Sequence, residues 1–118
     1  MIAHIIIRTS KFNESLEFYQ WLLNLPISAK IQTPMGEIAF LGENETKLEF
    51  IEDANAQKVE SKGLAIGFSV DRLDEKIDML DGKGISHSEI VSPNPATRFI
   101  MFCDLNGCEI QLIEQKRN

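Results

Sequence analysis

Little in this chain announces a dedicated chemistry. Its 118 residues include only two cysteines, two histidines, one tryptophan and one tyrosine. Two cysteines cannot make the disulfide framework of a small secreted domain. Cys103 and Cys108 flank the turn-like stretch Asp104-Leu105-Asn106-Gly107 and read as reduced, partly buried thiols. No Lys, Arg or His lies inside that stretch to activate a thiolate. Long apolar runs are also missing, and none approaches the ~20 residues of a membrane span. The opening Met1-Ile2-Ala3-His4 lacks a basic region followed by a long apolar stretch, so no signal peptide is expected. A cytoplasmic protein without membrane contact follows as the expectation. Positive charge is scarce: 12 Lys+Arg face 18 Asp+Glu, for a net charge of −6 and a pI near 4.9. That balance argues against nucleic acid as a partner. There is no Gly-rich phosphate loop, no nucleophile elbow and no Cys-x-x-Cys pair.

What remains is an ordinary globular composition, 43% apolar and 25% charged. A chain of this length buries roughly two-thirds of its extended surface and needs no staple to fold. Residues 3–9 form a short isoleucine-rich run, which predicts a strand. Phe12, Leu16, Tyr19 and Leu23 then recur at helical spacing, with Ser10 as the expected cap and Pro26 as the expected stop. Three strands are predicted next, over 27–33, 37–41 and 47–52. Turn chemistry separates them at Pro34-Met35-Gly36 and Gly42-Glu43-Asn44-Glu45. Residues 53–62 look like a linker. The order then recurs. A strand is expected over 63–70, and a helix capped by Asp71 carries Leu73, Ile77 and Leu80 and stops at Gly82 and Gly84. A strand over 85–91, a two-proline loop over 92–97, and a hairpin of 98–103 with 108–114 follow. The polar tail 115–118 is expected to fray.

The chain is therefore two copies of strand, helix, three strands, each about 50 residues and too small to hide a sheet face alone. The fold class expected is α+β: two βαβββ modules, one about 1–53 and the other about 63–116, with curved mixed sheets around a cleft. Both modules make up one domain over 1–118. A cleft is where a small molecule binds.

Strand alternation places His4, Ile6 and Arg8 on one face, and Lys47, Glu49 and Ile51 on one face of the module's last strand. His4 and Glu49 can both point into the cleft. Each also has a plain reading, as a satisfied core histidine and as an outward-facing carboxylate. Arg8 suits a carboxylate or phosphate group, or a surface pairing with a glutamate. Lys47, Ser69 and Glu109 complete the polar cleft candidates. Phe99, Met101 and Trp21 are candidate apolar walls, with core packing or an interface the alternative for Trp21. His87, in Ser86-His87-Ser88, is expected to be exposed.

The stretch from His4 to Tyr19 resembles the opening of the vicinal oxygen chelate superfamily, which groups glyoxalases, bleomycin-resistance proteins and extradiol dioxygenases. Val70-Asp71 before a helix resembles the start of its second module. Phe102 to Glu114, through Asp104-Leu105-Asn106-Gly107, resembles its closing turn and final strand. The resemblance spans nearly the whole chain. It implies metal-ligand positions on the first and last strands of each module, here His4, Glu49, Ala65 and Gln111. Alanine offers no donor atom, and glutamine stands where a carboxylate is usual. His4, Glu49 and Gln111 are thus weak candidates for a divalent ion completed by water, and Ala65 is a cleft candidate. The alternative is that His4 and Glu49 bond each other across an empty cleft. No cofactor is expected beyond a weakly bound divalent metal.

Three functions fit: a small-molecule binder of the bleomycin-resistance type with a degenerate metal site, a metal-dependent lyase, isomerase or dioxygenase-type enzyme, or a regulatory or structural domain that keeps the fold without chemistry. Catalytic residues are not assigned. The resemblance also implies a homodimer, with Trp21 and the first strand near Ile2 as contacts.

Overall fold

The structure, a computed structural model, describes residues 1–44, 46–60 and 62–116. Glu45 of the expected turn, Ser61 of the expected linker, and Arg117 and Asn118 of the expected frayed tail lie outside the described residues. The chain forms two compact units, Met1–Lys58 and Val59–Asn118, divided within the expected linker. Each has the order strand, helix, three strands, and the fold is α+β.

The first unit comprises β1 (His4–Thr9), α1 (Phe12–Leu23), β2 (Ile27–Thr33), β3 (Gly36–Leu41) and β4 (Lys47–Glu52). Its sheet runs β1-β4-β3-β2, with β1 parallel to β4 and the other pairs antiparallel. One face is apolar because alternation sends Ile7, Ala39, Leu41, Leu48 and Phe50 the same way, all buried. α1 covers it with Phe12, Leu16, Tyr19 and Leu22, and the Tyr19 and Phe50 rings lie 5.6 Å apart. Each buried side chain of this kind contributes roughly 1.5–3 kcal/mol. The other face stays open, with Ile6 and Ile31 about half exposed.

Both expected ends of α1 differ. Ser10 makes no cap; the Thr9 hydroxyl accepts the Lys11 N–H at 2.8 Å, and Ser15 donates to the Lys11 carbonyl at 2.6 Å. At the other end Asn24 stops the helix ahead of Pro26, by adopting φ 54° and donating its N–H to the Gln20 carbonyl. Asparagine tolerates that left-handed conformation better than most residues.

The second unit comprises β5 (Ala65–Ser69), α2 (Leu73–Gly82), β6 (Val91–Asn94), β7 (Thr97–Cys103) and β8 (Glu109–Gln115). Its sheet runs β5-β8-β7-β6, again with the first and last strands parallel. Leu73 and Leu80 of α2 are buried, as are Ile100, Phe102, Ile110 and Leu112 of the sheet, while Ile77 is half-buried. Asp71 is not the cap. The first-turn N–H of Leu73 is instead taken at 2.8 Å by Glu114, which reaches in from β8. Gly82 is still helical, and Gly84, at φ 68°, makes the turn that ends α2.

The expected strand over 85–91 is absent before Val91. Residues 85–90 run as irregular chain, pinned where Ser88 donates its N–H to the Met101 carbonyl and accepts the Met101 N–H on its hydroxyl. The expected loop over 92–97 is partly strand. Pro93 fits in β6 because β6 is the sheet edge, where a missing N–H costs no ladder bond. The closing turn is tightly built. The Asp104 carboxylate accepts the N–H groups of Asn106 and Cys108, each at 2.9 Å. Gly107 sits at φ 84°, and a Cβ there would lie 2.5 Å from the Val59 carbonyl oxygen, so only glycine fits. The linker is held to this turn by the Val59 N–H, which donates to the Asn106 carbonyl at 2.7 Å.

Candidate functional site

The chemistry of the first unit gathers on its open sheet face. β1 and β4 pair in parallel with His4 opposite Lys47, Ile6 opposite Glu49 and Arg8 opposite Ile51. Glu49 thus lies diagonally across from His4. The two side chains meet with His4 Nε2 3.0 Å from Glu49 Oε1. Glu49 is 8% exposed, flanked across the strands by Ile6 and Phe40. A carboxylate in such a place needs a partner, and the imidazole is that partner. The His4 ring also packs edge-on against Phe40, with centroids 5.5 Å apart. A carboxylate only accepts, so Nε2 carries the proton, and in the neutral ring Nδ1 is left as an acceptor.

Beside the pair lies an open pocket of about 850 Å³. It is lined by Met1, Ala3, His4, Ser28, Ala29, Phe40, Glu43, Asn44 and Lys47. His4 and Lys47 are the sequence candidates that line it. Arg8 shares the face but lies two residues further along β1, outside the lining. Neither Arg8 nor Lys47 enters an ion pair or a side-chain hydrogen bond among the described residues. Ser28, Ala29 and Phe40 carried no signal of their own. They join the site because β2 and β3 lie next to β4, and strand order is not legible in local pattern.

The second unit repeats the register with other residues. Ala65 lies opposite Glu109, Gly67 opposite Gln111 and Ser69 opposite Ile113. Within its own sheet Ala65 therefore holds the place of His4, Gln111 that of Glu49, Glu109 that of Lys47, and Ser69 that of Arg8. Gly67 gives the Gln111 amide room: a Cβ at Gly67 would sit 2.9 Å from Gln111 Oε1. Phe99 and Met101, opposite Ile113 and Gln111, are half-buried on the same face. Trp21 does not join an open face. It lies on α1, tilted against Phe18, and is 36% exposed.

Three polar groups of the second unit are structural. His87 is half-buried rather than exposed. In the protonated ring its Nδ1 donates to the Ser88 carbonyl at 2.8 Å and its Nε2 to the Asp81 carboxylate at 2.7 Å. The Ser88 carbonyl and the Asp81 carboxylate raise its pKa above the usual histidine range. Glu114 is held below the usual carboxylate range by the Leu73 N–H and by Arg98, which also bonds Asp74. Burial, aided by the Asp104 charge, pushes the Cys108 thiol up to about 11, so it is not a nucleophile, while Cys103 is exposed and free.

The donor set bears on metal. His4 and Glu49 supply two donors and spend them on each other, Ala65 supplies none, and Gln111 offers a neutral amide. Among the described residues no group of three or more His, Cys, Asp and Glu side chains is gathered as an ion requires. These residues do not make a complete ligand set.

A family model for the Glyoxalase/Bleomycin resistance protein/Dioxygenase superfamily matches residues 1–112. The chain belongs to this superfamily. Among solved structures, this superfamily member is similar to a glyoxalase family protein from Enterococcus faecalis. The two share 21% identity over 97% of each chain, with a TM-score of 0.75. It is also similar to TnmS3, an antibiotic binding protein from Streptomyces sp. CB03234. That match has 15% identity, covers 98% of this chain and 96% of that one, and has a TM-score of 0.73. A third is an E126Q mutant of the fosfomycin resistance protein FosX from Listeria monocytogenes, complexed with Mn(II) and 1S,2S-dihydroxypropylphosphonic acid. It shares 16% identity over 95% of this chain and 87% of that chain, with a TM-score of 0.76. At these identities the likeness is one of fold. Comparison with curated proteins finds no significant match. No helix among the described residues is long and apolar enough to cross a membrane.

Proposed function

We propose that this superfamily member binds a small organic molecule in the pocket of the first unit, with a degenerate metal site. The observation that carries the reading is the pocket of about 850 Å³ walled by His4, whose ring Glu49 fixes from behind. That volume suits a drug-sized ligand. The likeness to an antibiotic-binding protein supports a binding role. The test is a ligand screen by thermal shift, followed by NMR on the hits. Ligands are expected to raise the melting temperature, because they bind the native state alone, and to move the signals of His4, Ala29 and Phe40. Hits that leave those three unmoved would sink the assignment.

A second reading, a metal-dependent lyase, isomerase or dioxygenase-type enzyme, is favoured by the relative that carries Mn(II). In it His4 and Glu49 would part to share a weakly held ion completed by water. Equilibrium dialysis against Ni²⁺, Zn²⁺, Mn²⁺ and Fe²⁺ separates the two. Substoichiometric metal is expected on the first reading, and a full equivalent surviving chelator on the second. Completing the proposal, 1–118 works as one domain in the cytoplasm, as a homodimer with Trp21 and the β1 end near Ile2 at the contact. Light scattering at twice the 13.4 kDa chain mass is the expected result.

A further inference from the structure

Resting on that reading, we infer that the occupant of the first unit's pocket is a small organic anion with an apolar body and one hydrogen-bond donor. Lys47 takes the anion and His4 Nδ1 takes the donor. Three observations carry this. First, Lys47 is half-buried in the pocket wall and has no carboxylate partner among the described residues, although the chain is acidic. An ammonium with no carboxylate partner is free to give an anion charge-assisted hydrogen bonds. Glu43 is the one opposing carboxylate on the described walls. It is exposed, and solvent screens it.

Second, Glu49 uses the Nε2 proton of His4, and no described group donates to Nδ1. The ring is fixed in orientation by Glu49 and by the edge contact with Phe40, so its acceptor is already placed for a hydroxyl or amide N–H. Third, Ala3, Ala29 and the Phe40 ring give the lining an apolar part beside the polar Ser28, Glu43 and Asn44. The corresponding position of Lys47 in the second unit is Glu109, and that of His4 is Ala65, so the second sheet offers neither group. The recognition chemistry is confined to one unit.

The test uses the whole chain and a panel of hydroxylated aromatic and aliphatic acids, headed by 4-hydroxybenzoate. Each acid is paired with its amide and with its methyl ether. Binding is followed by NMR at Ala3, His4 and Ala29. The acids are expected to bind about tenfold tighter than their amides, and about threefold or more tighter than the ethers that lack the donor. Lys47→Gln is expected to erase the acid-over-amide preference and leave amide affinity in place, while Lys62→Gln changes neither. Amides that bind the wild-type pocket as well as acids overturn the inference and leave the pocket reading standing. Equal loss of acid and amide binding in Lys47→Gln overturns it too, since that marks a structural lysine. No shift at the three residues with any member of the panel overturns the inference, while the pocket reading falls only if hits of the wider thermal-shift screen also leave them unmoved.

Discussion

The two units share a topology and a register, yet they spend their polar residues in opposite places. In the first, polarity sits on the open face, where His4 meets Glu49 at 3.0 Å beside Lys47, which has no ion pair among the described residues. In the second, the same positions hold Ala65, Gln111 and Glu109, and the strong polar network lies on the helix side, where Glu114 joins Arg98 and the start of α2. The contrast is sharpest at one pair of corresponding residues. Glu52 and Glu114 hold the same place at the end of β4 and of β8. Glu114 caps α2 because its neighbour there is Val70, which offers no hydroxyl. Glu52 is paired with Thr9, whose hydroxyl already serves the entry of α1, so its carboxylate turns to the Glu37 N–H at 3.1 Å. A register position fixes reach, and the neighbouring side chain decides the task.

The largest expected break in this comparison is Gly107→Ala. A Cβ cannot share space with the Val59 backbone, and the left-handed φ adds strain. A loss of about 2–4 kcal/mol is expected in urea denaturation. No comparable loss would mean the linker segment is not docked on the turn. Next is the pair Glu114→Ala and Glu52→Ala. Losing a buried cap should cost about 1–2 kcal/mol, and losing the exposed carboxylate of Glu52 about 0.5 kcal/mol or less. Equal costs would erase the contrast between the units. Third, Ala65→His with Gln111→Glu copies the first unit's pair into the second. Ni²⁺ affinity by calorimetry is expected to rise about tenfold or more. No gain would show that the matched register does not carry a matched site.

The smallest effect is on pH. His87 has its folded pKa raised above 6.5, so its contribution is complete below the unfolded value and is lost as pH rises through the folded one. Glu114 runs the other way: its folded pKa lies below 4.5, so its contribution is complete above that value and is lost as pH falls. His87→Gln should flatten the near-neutral decline in stability, and Glu114→Gln the acid one. A His87→Gln profile that still declines between pH 6 and 8 would remove the histidine from the account.

Strands with clear alternation were legible in the sequence. The expected ranges 27–33 and 47–52 coincide with β2 and β4. The segment 85–91 was misleading, because Ile85, Ile90 and Val91 mimic a strand while Ser88 spends its hydroxyl on Met101, a partner far along the chain. Helix caps failed for a related reason. Ser10 and Asp71 stand in the customary place, but Thr9 and Glu114 lie where the sheet delivers them. Alternation was enough to set His4 and Glu49 on one face. The pocket walls at Ser28, Ala29 and Phe40 depend on β2 and β3 standing beside β4, which no local pattern encodes.

The parallel pairing of first and last strands also sets the grain at which such a chain can be inherited. In each unit the opening strand waits, through a helix and two antiparallel strands, for its final neighbour. A break anywhere inside that interval strands one edge of the sheet. A break between 53 and 58 leaves five whole elements on either side, with each ladder complete. Duplication, shuffling or laboratory splitting of this chain therefore has one natural seam, and half of the molecule is its smallest transmissible piece.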